Sequence, residues 1–280
     1  MKTIRELLER HGFTFSKAMG QNFIVNPGIC PRMAQEGGAA PGTGVIEIGA
    51  GIGVLTAELA KRAQRVVCVE LDSRLLPILD ETLAPFDNVK IVNQDILKTD
   101  LQQLIREELG GMEVVVCANL PYYITSPVIM YLLESRLPIR SVTVMVQKEA
   151  AKRITAQPGT RDIGAISLAI RYYAEPKFLF NVSRGSFLPA PDVDSAVIRL
   201  EVLESPPVSP KDEALFFKVI RGGFSQRRKT LANSLSSYLG LDKSVLPQLL
   251  SCCGLSPSAR PEELTLDDFC RLSNVLAERS

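Results

Sequence analysis

Between residues 44 and 147, short β-rich apolar runs (45–48, 66–71, 89–92, 114–118 and 142–146) alternate with stretches of helical period (55–63, 73–83, 101–109 and 127–133). Strands joined through helices lie parallel, and the helices cover both faces of the sheet they form. The chain is therefore expected to build a doubly wound, mostly parallel α/β sheet. Residues 178–182 and 196–202 are expected to close it as an antiparallel pair, joined by a proline-rich loop at 187–191. Residues 204–210 carry three prolines within five positions, which suits a linker and neither a helix nor a central strand. Beyond them only helical patterns follow, at 216–224, 231–239 and 266–276. Two domains are expected: an α/β domain with an N-terminal extension over 1–204, and a small all-helical domain over 205–280.

Composition removes several classes of function. The 280 residues are 46% hydrophobic and 22% charged, with 18 prolines and 19 glycines, which is globular and neither disordered nor collagen-like. No run approaches the roughly 18 apolar residues of a membrane span, and the first ten residues, with Lys2, Arg5, Glu6, Glu9 and Arg10, have no apolar signal core. Neither membrane insertion nor secretion is expected; a cytoplasmic location is. His11 is the only histidine, so multi-histidine metal sites are excluded, no metal is expected, and a Ser-His-Asp triad would have to be built on that one residue. The six cysteines show no Cys-x-x-Cys spacing, and Cys68 and Cys117 lie in apolar runs, so reduced, buried thiols are expected.

The net charge of +1 is unevenly spread. Residues 33–139 hold eight basic and fourteen acidic side chains (−6), whereas 140–184 hold eight and three (+5). Arg221, Arg227, Arg228 and Lys229 have no acid between them, and Lys148, Lys152 and Arg153 follow the fifth strand-like run. Such segregation suits an acidic half for a small molecule and a separate surface for a polyanion, although charge alone is equally compatible with a solvated helix face.

The run Val45-Ile46-Glu47-Ile48-Gly49-Ala50-Gly51-Ile52-Gly53 reads as a buried strand entering a glycine turn before a helix. Glycines there let a ligand approach the backbone, and the helix presents unpaired N–H groups. The dinucleotide fingerprint needs a third glycine at position 54, which is Val54; the spacing is Gly-x-Gly-x-Gly, and NAD becomes the weaker choice. The tighter turn suits the amino-acid end of S-adenosylmethionine, and Glu47 resembles the acid that precedes the glycines in methyltransferases. Alone, a glycine turn is an ordinary strand-to-helix connection. Two further strand ends add weight: Glu70, 21 residues after Gly49, can accept from both ribose hydroxyls, and Asp95 can accept from an adenine amine with Ile96 against the ring. Three consecutive carboxyl ends of parallel strands then carry suitable groups, and that is where open α/β sheets bind ligands.

Asn119-Leu120-Pro121-Tyr122 follows the fourth strand, 24 residues beyond Asp95. The adenine amine is a poor nucleophile because its lone pair is delocalised into the ring. Two acceptors on its hydrogens, the Asn119 side-chain oxygen and the Leu120 carbonyl, favour a tetrahedral nitrogen with a localised lone pair. Pro121 stiffens the turn, and Tyr122 offers a face for the base. No strong base is needed, since the nitrogen becomes acidic once methylated.

These motifs, with Gly20-Gln21-Asn22-Phe23, Phe187-Leu188-Pro189-Ala190-Pro191 and Phe224-Ser225-Gln226-Arg227-Arg228-Lys229-Thr230, make nearly the whole chain resemble the ribosomal RNA adenine dimethyltransferases (the KsgA/RsmA family), close relatives of the macrolide-resistance methylases. The resemblance implies the class I S-adenosylmethionine-dependent methyltransferase fold. It also implies methylation of two adjacent adenines near the 3′ end of 16S ribosomal RNA to N6,N6-dimethyladenosine, and a part in small-subunit biogenesis. The partner would be the small ribosomal subunit or its precursor, bound by a monomer whose helical domain contacts RNA. Asn22 and Ile24 would close over the methionine end of the cofactor, and Phe187 would face Tyr122 across the target base. One departure is visible: Ala50 stands where many members have proline. The alternatives are a macrolide-resistance methylase acting on one adenine of 23S RNA, and a non-catalytic assembly or transcription factor of the same fold. An NAD oxidoreductase ranks below both.

Overall fold

The computed structural model describes residues 4–16, 19–226 and 228–279. In chain order the elements are α1 (Ile4–Arg10), β1 (Phe23–Ile24), α2 (Ile29–Glu36), β2 (Thr43–Ile48), α3 (Val54–Ala60), β3 (Arg65–Glu70), α4 (Leu76–Leu83), β4 (Val89–Asn93), α5 (Leu101–Glu108), β5 (Glu113–Asn119) and α6 (Thr125–Glu134). They continue with β6 (Ile139–Gln147), α7 (Lys148–Thr155), α8 (Ala165–Tyr173), β7 (Ala174–Val182), β8 (Phe187–Leu188), β9 (Ser195–Val202), α9 (Glu213–Gly223), α10 (Leu231–Leu239), α11 (Leu246–Cys252) and α12 (Leu266–Ala277).

The main sheet has the order β4-β3-β2-β5-β6-β9-β7. The first five strands run parallel, and β9 joins β6 antiparallel. Burial follows position: every residue of β2 is buried, whereas the edge strand β4 has none. Central strands covered on both faces need continuous apolar side chains, which explains the unbroken Val/Ile/Cys character of β2, β3 and β5. On one face α2 and α3 pack Cys30, Met33, Leu55 and Leu59 against Val45, Val66 and Val115. Truncating the buried Met33 to Ala is expected to cost about 2–5 kcal/mol. The chain leaves β2 for β3 and β4 on one side and returns to β5 on the other, so a crevice opens at the carboxyl end of the sheet between β2 and β5.

The expected closing pair is present: β7 and β9 are hydrogen-bonded neighbours at the end of the sheet, with β9 next to β6. The structure adds one feature, since the proline-rich loop between them contains β8, which pairs antiparallel with β1 through Ile24–Phe187 and Phe23–Leu188.

The domain boundary differs from a single cut at 204/205. The chain forms two compact units, 1–151 with 176–202, and 152–175 with 203–280. The reason lies in α8. Tyr172 stands with its ring 5.4 Å from Phe216, and Tyr173 stacks on Phe217 at 5.7 Å. Both tyrosine hydroxyls donate to the Glu213 carboxylate, at 3.0 and 3.3 Å. Within this unit Gly222 and Gly223 of α9 admit α10, since a Cβ on Gly222 would lie 2.9 Å from Tyr238 Cδ1 and one on Gly223 3.1 Å from Leu231 Cδ1. Helices α9 and α12 are capped by Asp212 and by a Thr265–Asp268 capping box. Among the described residues no helix is long and apolar enough to cross a membrane.

Candidate active site

The crevice holds a cleft of about 1080 Å³, counted to its open mouth. Asn22, Ile24, Glu47, Gly49, Gly51, Glu70, Asp95, Ile96, Asn119, Leu120, Pro121, Tyr122 and Phe187 all line it. Gly53 does not. A Cβ on Gly53 would sit 2.8 Å from Thr82 Oγ1, and its φ is +83°, so the glycine is required for the approach of α3 to α4.

The glycine turn is closed by Gly53 N–H donating to the Ala50 carbonyl at 2.9 Å and by Gly49 N–H donating to the Val69 carbonyl at 2.8 Å. Gly49 has φ +76°, and a Cβ there would meet only the Asn119 carbonyl oxygen, at 3.9 Å; the rest is cleft. A ligand can therefore lie directly against this backbone.

Two carboxylates stand behind the turn. Glu70 accepts from Gly51 N–H with Oε2 and from Asp72 N–H with Oε1, each at 2.9 Å. Burial raises its pKa, and those two amides oppose the shift. Each oxygen keeps a lone pair for a further donor. Glu47, 1% exposed, stands in register between Cys68 of β3 and Cys117 of β5. Burial pushes its pKa up to about 8; the neighbouring Thr56 hydroxyl opposes this without regular hydrogen-bond geometry, and Glu70 adds to it. Its Oε2 has no hydrogen-bond partner among the described residues. An unpartnered buried carboxylate oxygen is costly, and an ammonium group is the complement that relieves it. The flanking thiols are inert: burial and then Glu47 push Cys117 up to about 12, and Cys68 moves the same way. At the next strand end Asp95 Oδ1 accepts from Leu97 N–H at 3.0 Å, and Oδ2 lies 3.8 Å from Lys98 Nζ.

Across the cleft, Asn119 Nδ2 donates to the Asn22 carbonyl at 3.2 Å. The amide is thereby oriented, and no described residue donates to its Oδ1. Pro121 caps a 3₁₀ turn, its carbonyl accepting from Ile124 N–H at 3.1 Å and the Thr125 hydroxyl at 3.4 Å. No described residue donates to the Leu120 carbonyl. The Tyr122 hydroxyl is paired with Ser195 Oγ at 2.8 Å, and burial raises its pKa, so it stays neutral.

Three contributors escape sequence reasoning. Gln21 is part of the Gly20-Gln21-Asn22-Phe23 motif. It donates to Asp72 Oδ2 at 2.7 Å, and Asp72 is held by Arg74 Nη2 at 2.6 Å, which ties the N-terminal segment to the Glu70 end of the cleft. Gly20, also in that motif, packs under Pro121 and Tyr123. Ser195 carries no sequence signal. His11 lies off the cleft wall, with Nε2 2.7 Å from Glu81 Oε2, which excludes the one triad the chain could have built.

The expected basic groups are exposed or partly exposed where they are described. Arg221, Arg228 and Lys229 are exposed where α9 leads into α10; Arg227 lies outside the described residues. Lys152 and Arg153 are exposed on α7, and Lys148 is partly exposed, its N–H donating to the Asp194 carbonyl at 3.0 Å.

A mostly parallel sheet in this order, with a glycine turn after its central strand and acids at the next two strand ends, defines a class I S-adenosylmethionine-dependent methyltransferase. The unpartnered Glu47 oxygen and the open space over Gly49 fit that donor. The family described as "Ribosomal RNA adenine dimethylase" matches residues 12–278. A relative from Geobacillus sp. (strain WCH70), "Ribosomal RNA small subunit methyltransferase A", is 49% identical over 97% of this chain and 95% of its own length. Among solved structures, a dimethyladenosine transferase from Plasmodium falciparum is similar with TM-score 0.74 and 25% identity, over 89% of this chain and 95% of that one. The 23S rRNA methyltransferase ErmE is similar with TM-score 0.70 and 26% identity, over 91% and 100%. The chain belongs to the ribosomal RNA adenine dimethylase family, and it is an enzyme that uses S-adenosylmethionine.

Proposed function

We propose that this enzyme dimethylates the exocyclic amines of two adjacent adenines near the 3′ end of 16S ribosomal RNA, acting as a cytoplasmic monomer on the small subunit or its precursor. The observation that carries the chemistry is the orientation of Asn119: with Nδ2 committed to the Asn22 carbonyl at 3.2 Å, Oδ1 is left as an acceptor in the cleft. S-adenosylmethionine supplies an electrophilic methyl group when bound. Glu47 would pair with its ammonium group, Gly49 and Gly51 with Asn22 and Ile24 would hold its methionine end, Glu70 would accept from its ribose hydroxyls, and Asp95 with Ile96 would hold its adenine.

The protein's part in the reaction is to make a poor nucleophile adequate. In the first transfer Asn119 Oδ1 and the Leu120 carbonyl accept the two amine hydrogens of the target adenine, and in the second one of them accepts the hydrogen that remains; this favours a pyramidal nitrogen, and the contacts strengthen as the nitrogen gains positive charge. The base is held between Tyr122 and Phe187. After transfer the nitrogen is acidic, and its proton passes to water without a dedicated base.

The small-subunit assignment rests on the 49% identity to a named small-subunit methyltransferase, against 26% to a 23S enzyme. RNA contacts are assigned to Arg221, Arg227, Arg228 and Lys229, with Lys148, Lys152 and Arg153 as a second group. The test is incubation with radiolabelled S-adenosylmethionine and separated, undermethylated subunits. Label confined to small subunits is expected; label confined to large subunits would assign the enzyme to the macrolide-resistance type.

A further inference from the structure

We propose that Tyr123 is a stacking platform for the nucleobase flanking the target adenine, a subsite that rests on the RNA-methylating function proposed above. Single exposed aromatic residues are common and need no explanation. Tyr123 differs in being fixed as well as exposed, and in standing on the cleft wall. It is 61% exposed, more than any other large apolar side chain among the described residues.

Its ring is seated from below. Gly20, at φ +59°, places backbone where a Cβ would come within 3.3 Å of Tyr123 Cε1 and 3.2 Å of Pro121 Cβ, so the ring and the proline rest on that glycine. Its backbone belongs to the 3₁₀ turn pinned by the Pro121 carbonyl, and α6 begins two residues later. Successive residues of a 3₁₀ turn diverge by about 120°. Tyr122 therefore points inward, its hydroxyl on the buried Ser195, while Tyr123 points away from it.

An adenine drawn to Tyr122 leaves its stacked neighbour with one bare face, and that lost stacking opposes extrusion. A fixed aromatic face at the mouth of the cleft replaces the missing partner. Stacking of this kind tolerates any base, so it holds the strand without selecting sequence.

The test uses full-length enzyme and small subunits reconstituted with RNA that is intact, or abasic at the nucleotide 5′ or 3′ of the target adenine. With intact RNA, Tyr123→Ala is expected to lower kcat/KM by roughly five- to hundred-fold, the range for losing one base–aromatic stack. Tyr123→Phe and Tyr123→Trp are expected to stay close to the parent, and S-adenosylmethionine affinity is expected not to move. On one of the two abasic RNAs, parent and Tyr123→Ala are expected to become equivalent. The proposal is overturned by full activity of Tyr123→Ala, by failure of Phe and Trp to rescue, or by a deficit that persists on both abasic RNAs, which would give the ring a protein partner instead. Failure of the underlying function looks different, because the parent then methylates no intact particle; that outcome overturns both.

Discussion

The Asn119 side-chain amide donates to the main-chain carbonyl of Asn22, 97 residues earlier in the chain, at 3.2 Å. Because Asn22 adjoins β1, and β1 pairs with β8, the same short segment that orients Asn119 also places Phe187. Asn119→Ala removes an acceptor whose value rises in the transition state. Its kcat is expected to fall by about 10²–10³-fold, by analogy with loss of one oriented hydrogen-bond group, with cofactor affinity nearly unchanged. Asn119→Asp retains an acceptor but turns a carboxylate oxygen toward the Asn22 carbonyl, so it is expected to be impaired as well. Single-turnover rates and calorimetry separate these effects; parental turnover in both variants would remove Asn119 from the mechanism.

The Tyr122–Ser195 pair makes a thermodynamic prediction. Ser195→Ala and Tyr122→Phe each break the 2.8 Å hydrogen bond, and each is expected to reduce kcat/KM by roughly two- to tenfold, the size of one neutral hydrogen bond. The double variant should be no worse than the poorer single one, because both remove the same interaction. Additive losses in that cycle would show that Ser195 does not act through Tyr122.

Glu47 links cofactor binding to protons. Its pKa is raised from 4.5 to about 8 by burial, so between those values the folded chain holds a proton that the unfolded chain releases. Its contribution to stability is thus fully present below about pH 4.5 and is lost as pH rises through about 8. Glu47→Gln should flatten that part of the thermal-stability profile. An ammonium group beside the carboxylate lowers its pKa again, so binding S-adenosylmethionine at pH 7 should release up to one proton in the parent and none through this group in Glu47→Gln. Calorimetry in buffers of different ionisation enthalpy measures the release; equal values for the two proteins would detach Glu47 from the cofactor.

Charge reversal tests the RNA surface. Arg221→Glu with Arg228→Glu should weaken binding to small subunits, leave cofactor affinity intact, and flatten log K against log salt by about one unit for each phosphate that is no longer neutralised. Filter binding across a salt series reports the slope. An unchanged slope would make these residues a solvated surface.

The sheet and most of the cleft wall are legible in the sequence because they depend on local signals. Glu47, Glu70, Asp95 and Asn119 stand at or beside the carboxyl ends of strands whose own apolar runs announce them. The β1–β8 pair is silent, since two-residue strands have no periodicity and their pairing exists only in three dimensions. Ser195 is a serine beginning a strand, and nothing local marks its contact with Tyr122. Gly53 illustrates a different difficulty: a glycine in a ligand-binding fingerprint is equally required where two helices close together, and the 2.8 Å between its would-be Cβ and Thr82 Oγ1 is visible only in three dimensions. The proline run at 204–210 marks a covalent joint, whereas the compact units follow the aromatic packing of α8 on α9, which a linear boundary cannot express.

Under the proposed function, the cleft around Asn119 methylates an adenine amine twice. The most direct measurement is nucleoside mass spectrometry of RNA from undermethylated small subunits, after incubation with S-adenosylmethionine and either the parent or Asn119→Ala. N6,N6-dimethyladenosine is expected at two adjacent positions near the 3′ end with the parent, and almost none with the variant. Methyl groups in any other nucleoside, or equal product from both proteins, would contradict the proposed function.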